Sequence, residues 1–99
     1  MTEEEIKSKY GEDVSKIEIF ISESDIAVGY VKPVTRYIAS PIIAKIINDP
    51  VGACEIWLDA CLIDEISDKR IKSDDTVFLS AMSNMNSVIE LKKSKLTHI

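Results

Sequence analysis

Hydrophobic positions change their period several times along the chain, and each change marks an element. Ile17, Ile19 and Ile21 alternate with Glu18, Phe20 and Ser22, the two-residue repeat of a half-buried strand. Ser22-Glu23-Ser24-Asp25 is a run of turn formers, after which Ile26, Val28 and Tyr30 alternate with Ala27, Gly29 and Val31. The pattern predicts a β-hairpin over about residues 15–32. A two-stranded sheet needs helices to cover its apolar side, and both of its edges would be open to a partner's strand. Pro33 cannot donate to a ladder and biases Lys32 towards extended backbone, so the second strand stops there.

The repeat then lengthens to that of a helix. Thr35 or Pro33 opens a helix over about 34–48, with Ala39, Ile42, Ile43, Ile46 and Ile47 on one broad face, Ile38 widening it and Lys45 towards solvent. Pro41 falls inside this run and predicts one bent helix rather than two segments. Asn48-Asp49-Pro50 reads as a stop and restart, with Asp49 as N-cap and Pro50 in the first helical position. The helix over about 50–62 puts Val51, Cys54, Trp57, Leu58 and Cys61 on one face and leaves Ile56 opposite.

Asp64 to Ser73 reads as a polar loop, and Ser73 or Asp74 caps a last helix over about 74–96. Phe78, Met82, Met85 and Ile89 step by four, three and four residues, with Leu96 a heptad further on, and form its expected core face. A thinner stripe of Val77, Ala81, Val88 and Leu91 is placed roughly opposite. A helix apolar on two sides is sandwiched or takes a partner, so these four residues are candidates for a partner-binding surface.

Ahead of the hairpin, Thr2 and Glu5 form a capping box and Gly11 a stop, predicting a short helix over about Glu3 to Tyr10. Only Ile6 and Tyr10 offer it an apolar face. The expected organisation is a weakly docked arm over 1–13 and a single α+β domain over 14–99, with the hairpin packed on three helices.

Composition narrows the function. Ninety-nine residues suit one domain, and 45% hydrophobic with 29% charged residues are ordinary globular values. A net charge of −5 disfavours nucleic acid, and Lys92, Lys93 and Lys95 suit the negative end of a C-terminal helix. No apolar run approaches the roughly 20 residues of a membrane span, and the acidic first residues lack a secretory pattern. With Cys54 and Cys61 as the only cysteines, about two turns or ~10 Å apart on one helix, a reducing cytoplasm is the expected home.

No chemistry stands out. His98 is the one histidine, the cysteine spacing matches no zinc motif, and Asp64-Glu65-Ile66-Ser67-Asp68 lacks the pattern of a calcium loop. Isolated glycines cradle no phosphate, and cysteines on an apolar helix face are inert small hydrophobes. Neither cofactor, metal nor small-molecule substrate is expected. A hydrolase built on Asp59 with Asp64 is a remote alternative. Lys32 and Arg36 are candidate partner contacts, as a charged rim beside an apolar groove, set against Arg36 simply pairing with a hairpin acid and Lys32 lying in solvent.

The order of signals carries a family likeness. A hairpin leads to Lys32-Pro33-x-x-Arg36, a helix is broken at Asp49-Pro50, an aliphatic helix ends near Cys61, and Ile71-Lys72-Ser73-Asp74-Asp75 runs into Phe78-Leu79. Over about Val14 to Leu96 this resembles small bacteriophage and prophage proteins of the tail assembly chaperone type. Where the family often has glycines after the cysteine, this chain has Asp64-Glu65-Ile66-Ser67. The resemblance implies a small, non-enzymatic, partner-dependent protein of the host cytoplasm. Its partner would be a tape measure or tail tube protein. A virion component that self-associates is the alternative.

Overall fold

The computed structural model describes residues 2–88 and 96–98. The chain has an α+β fold: helix α1 (Glu3–Tyr10), strands β1 (Ser15–Ser22) and β2 (Asp25–Val31), then helices α2 (Arg36–Lys45), α3 (Pro50–Cys61), α4 (Arg70–Ser73) and α5 (Asp75–Val88). The strands form an antiparallel hairpin in which Ile17 faces Gly29 and Ile19 faces Ala27. A bulge at Ile21 lies beside the two-residue turn at Glu23 and Ser24, and it carries Ile21 out of the buried face that Ile17 and Ile19 share. On β2 the core side is Ala27, Gly29 and Val31, so the small residues of that strand face inward.

Gly29 is small for a reason. A Cβ there would lie 2.5 Å from Cδ1 of the fully buried Ile71 and 3.2 Å from Cδ1 of Leu62. The segment after α3 is no plain polar loop. Ile63 and Ile71 are buried, and the backbone between them pairs with the outer edge of β2. Ile63 N–H donates to the Tyr30 carbonyl at 2.8 Å and Asp68 N–H to that of Val28 at 2.8 Å. Lys32 N–H donates to the Cys61 carbonyl at 2.9 Å, and Tyr30 N–H to Ser67 Oγ at 3.0 Å. This edge is therefore closed from within the chain. A polar sequence hid that role, because pairing by backbone needs no apolar side chains.

Capping sets the helix starts. Thr35 Oγ1 accepts from Ile38 N–H, Asp49 Oδ1 from Gly52 N–H at 2.9 Å, and Asp74 Oδ1 from Thr76 and Val77 N–H at 3.0 and 3.1 Å. α2 runs through Pro41 as one helix and passes into a turn at residues 46–48, short of the expected end. Of the isoleucines in α2 and the turn after it, Ile42 alone is fully buried, with Ile38 and Ile46 partly covered, while Ile43 and the 87% exposed Ile47 face out. α2 packs on α3, α3 on α5, α5 on β1, and α4 joins α5 to β2. Trp57, Leu58, Ile42, Ile71 and Met85 centre the core, and Ile56, expected to be exposed, packs against its margin.

α5 requires the main correction. Among its described side chains Val77, Ala81 and Met85 are buried, while Phe78 and Met82 pack at the edge of the same core. The two stripes are neighbours rather than opposites, because Val77 and Phe78 differ by one step of about 100° around the axis. They fuse into one broad core face. Ile89 and Leu91, and the side chain of Val88, lie outside the described residues, and Leu96 is fully exposed. Among the described residues no helix is long and apolar enough to cross a membrane.

Candidate protein-binding surface

Among the described residues, the candidate partner positions Lys32, Arg36, Val77 and Ala81 do not form one surface. Val77 and Ala81 are buried under β1 and cannot meet a partner without unfolding. Lys32 and Arg36 are exposed at the β2–α2 junction, and Arg36 lies over the ring of Tyr37, 5.7 Å from its centroid. The hairpin acid closest to an arginine is Asp25, whose partner is Arg70 rather than Arg36.

Arg70 organises the loop end of the molecule. Its guanidinium donates to Asp25 Oδ2 and Oδ1 at 2.9 and 3.1 Å and to Asp68 Oδ2 at 2.8 Å. This fork ties the hairpin turn to α4. The same hydrogen bonds hold both carboxyls below their ordinary range. At the other end of the hairpin, Tyr10 Oη donates to Glu65 Oε2 at 2.6 Å, and buried Ile6 seats α1 against Val14 and Tyr30.

An open groove runs between α3 and the α4–α5 corner. Its volume is about 450 Å³, and its apolar floor is Val51, Leu58, Phe78 and Leu79. Leu79 is 51% exposed although the core lies one turn away. The rim is acidic, with Glu55, Asp59 and Asp75 against one cation, Lys72. Lys72 Nζ is 3.6 Å from Asp59 and 3.1 Å from Asp64, so it is already shared between carboxylates. Asp59 and Asp64 thus meet on an ammonium at the surface, where ordinary ion pairing accounts for them. Lys32 and Arg36 do not line this groove.

The groove was not legible in the sequence as a site. Val51 read there as part of the apolar face of its helix, and Leu79 appeared only in the Phe78-Leu79 pair, so nothing in the periodicity brought the two together.

Cys54 and Cys61 sit in the core beneath α3. Burial, with Glu55 nearby, pushes the Cys54 thiol up to about 11, and burial also raises Cys61. Both are protonated near neutrality and unsuited to nucleophilic attack. Among the described residues no cluster of His, Cys, Asp and Glu is arranged to hold a metal ion. Comparison with known protein families, curated proteins and solved structures found no match.

Proposed function

We propose that this chain is a non-enzymatic protein-binding module that shields an amphipathic helical segment of its partner. The observation that carries this reading is the groove between α3 and α4–α5, an exposed apolar floor under a rim rich in carboxylates. An apolar floor takes leucine- or phenylalanine-type anchors, and Glu55, Asp59 and Asp75 favour basic residues beside them. The likeness to phage tail assembly chaperones makes a tape measure or tail tube protein the proposed partner, and the host cytoplasm the proposed place of action.

Co-expression with the tape measure and tail tube proteins, followed by gel filtration, tests this. A complex is expected, and Leu79→Glu should weaken it about tenfold or more while changing folding stability by no more than about 0.5 kcal/mol. Trp57, the single tryptophan, is buried and reports folding through its fluorescence. Separate elution at micromolar concentration, or a complex indifferent to Leu79→Glu, would sink the proposal.

A further inference from the structure

The two edges of the hairpin are treated differently. The outer edge of β2 is closed by residues 61–68, which fixes how the ladder is phased. Tyr30 and Val28 turn their backbone groups away from β1, so the hydrogen-bonded pairs with β1 are Gly29 with Ile17 and Ala27 with Ile19. It follows that Lys16, Glu18 and Phe20 turn their N–H and C=O groups outward along the free edge of β1. Among the described residues no backbone or side-chain hydrogen bond reaches them, and all three residues are exposed, Phe20 at 72%.

We infer that this edge pairs with the same edge of a second copy, joining two hairpins into one four-stranded antiparallel sheet. Charge selects the occupant and the register. With Ile17 opposite the partner's Ile17, Lys16, whose ammonium lies 3.8 Å from Glu18 and 3.9 Å from Glu3 of its own chain, also meets the partner's Glu18, and Glu18 meets the partner's Lys16. Phe20 then falls opposite the partner's Val14. Sliding by two residues one way opposes Glu18 to the partner's Glu18, and the other way opposes Lys16 to the partner's Lys16, and like charges directly across strands are destabilising. One edge strand thus carries a self-complementary pair, and only an antiparallel two-fold arrangement uses it twice.

An edge of three outward residues is a small contact, and the surface below it extends it. α5 runs under β1 in the opposite direction. Thr76 and Ser80 lie beside Ile19–Ile21, and Asn84 and Ser87 beside Ser15–Ile17. These four side chains are short and uncharged, spaced along one side of the helix. In the paired arrangement the two α5 helices lie antiparallel under the joined sheet. Short side chains let them approach to the ~8 Å typical of close helix pairs. Phe20 and Ile21, exposed at the tip, are covered in the same step. This surface is separate from the groove over Val51 and Leu79, so it stands or falls independently of the partner proposed above.

Sedimentation velocity of the full chain over a range of concentrations tests the inference. A concentration-dependent dimer is expected, and Lys16→Glu alone or Glu18→Lys alone should each raise its dissociation constant about tenfold or more, since two attractive pairs become repulsive. The exchange Lys16→Glu with Glu18→Lys should restore the dimer, because the pairs re-form with reversed sign. Circular dichroism melts of each variant verify that the monomer stays folded, and Glu18→Pro removes an outward donor without touching the intrachain ladder and should leave a folded monomer. A chain that remains an 11.1 kDa monomer throughout overturns the inference. So does a dimer that survives both single charge reversals, or one that the double exchange fails to rescue.

Discussion

At the scale of single residues, the decisive positions are those where size rather than polarity matters. Gly29 is the clearest. Its neighbours Ile71 and Leu62 fill the space a side chain would need, and Ile71 is buried with nowhere to retreat. Gly29→Ala should therefore destabilise the fold by about 1–3 kcal/mol, the usual range for an overpacked core. Urea denaturation followed by Trp57 fluorescence measures it, and an unchanged midpoint would mean that Ile71 does not seat on the strand. Trp57 itself is fully buried with its indole N–H lacking an acceptor among the described residues.

At the scale of elements, local signals and tertiary packing agree at most helix starts and disagree inside α2. Pro41 lies in the fifth position after Arg36 and leaves the Tyr37 carbonyl without its N–H donor. Tyr37 is 81% exposed and Pro41 is exposed as well, so the broken bond lies on the solvent side and the helix continues. Pro41→Ala should restore the bond without loss of packing. Helix propensity favours the change by about 3 kcal/mol, and a freer unfolded chain offsets up to about 1 of that. Allowing for solvent already satisfying the carbonyl, a net gain of about 1–2 kcal/mol is expected, read as a rise in Tm. A fall in Tm would show that the proline, not the helix, holds the β2–α2 junction.

At the scale of the molecule, the ion pairs of Arg70 and the buried thiols both give stability a pH profile. Arg70 lowers the carboxyls of Asp25 and Asp68 below the ordinary value of 3.8. Their contribution is intact above that value and is lost below it, as pH falls through the lowered values these carboxyls have in the folded chain. Cys54 behaves in the opposite sense. Its raised value means stability that is intact below pH 9.0 and lost as pH climbs towards about 11. Tyr10, raised by its hydrogen bond to Glu65, adds to the same alkaline limb. Denaturation midpoints measured across pH should form a plateau with two falling limbs. Arg70→Gln should flatten the acid limb and Cys54→Ala should reduce the alkaline one. An acid limb unchanged by Arg70→Gln would remove these ion pairs from the account.

Much of this architecture is decided locally, and those parts were legible in the sequence. Thr2 with Glu5, Asp49 with Pro50 and Asp74 determine where helices begin, because a cap is a contact between near neighbours in the chain. The alternation of Ile17 and Ile19 determines a strand for the same reason. The candidate partner surface was not legible, because which stripe of α5 is buried depends on where β1 and α3 lie. Val77 and Ala81 read as a second stripe, sandwiched or taking a partner, yet they belong to the same core as Phe78 and Met82, since adjacent stripes merge when the hairpin and α3 cover both. The polar run from Asp64 to Ser73 determines no visible element, yet its backbone closes the edge of β2, a pairing set by distance in space. Among the described residues the same tertiary arrangement leaves the edge of β1 and the Val51–Leu79 groove open. Periodicity says which residues are apolar; only the packing of the whole chain says which of them run out of neighbours.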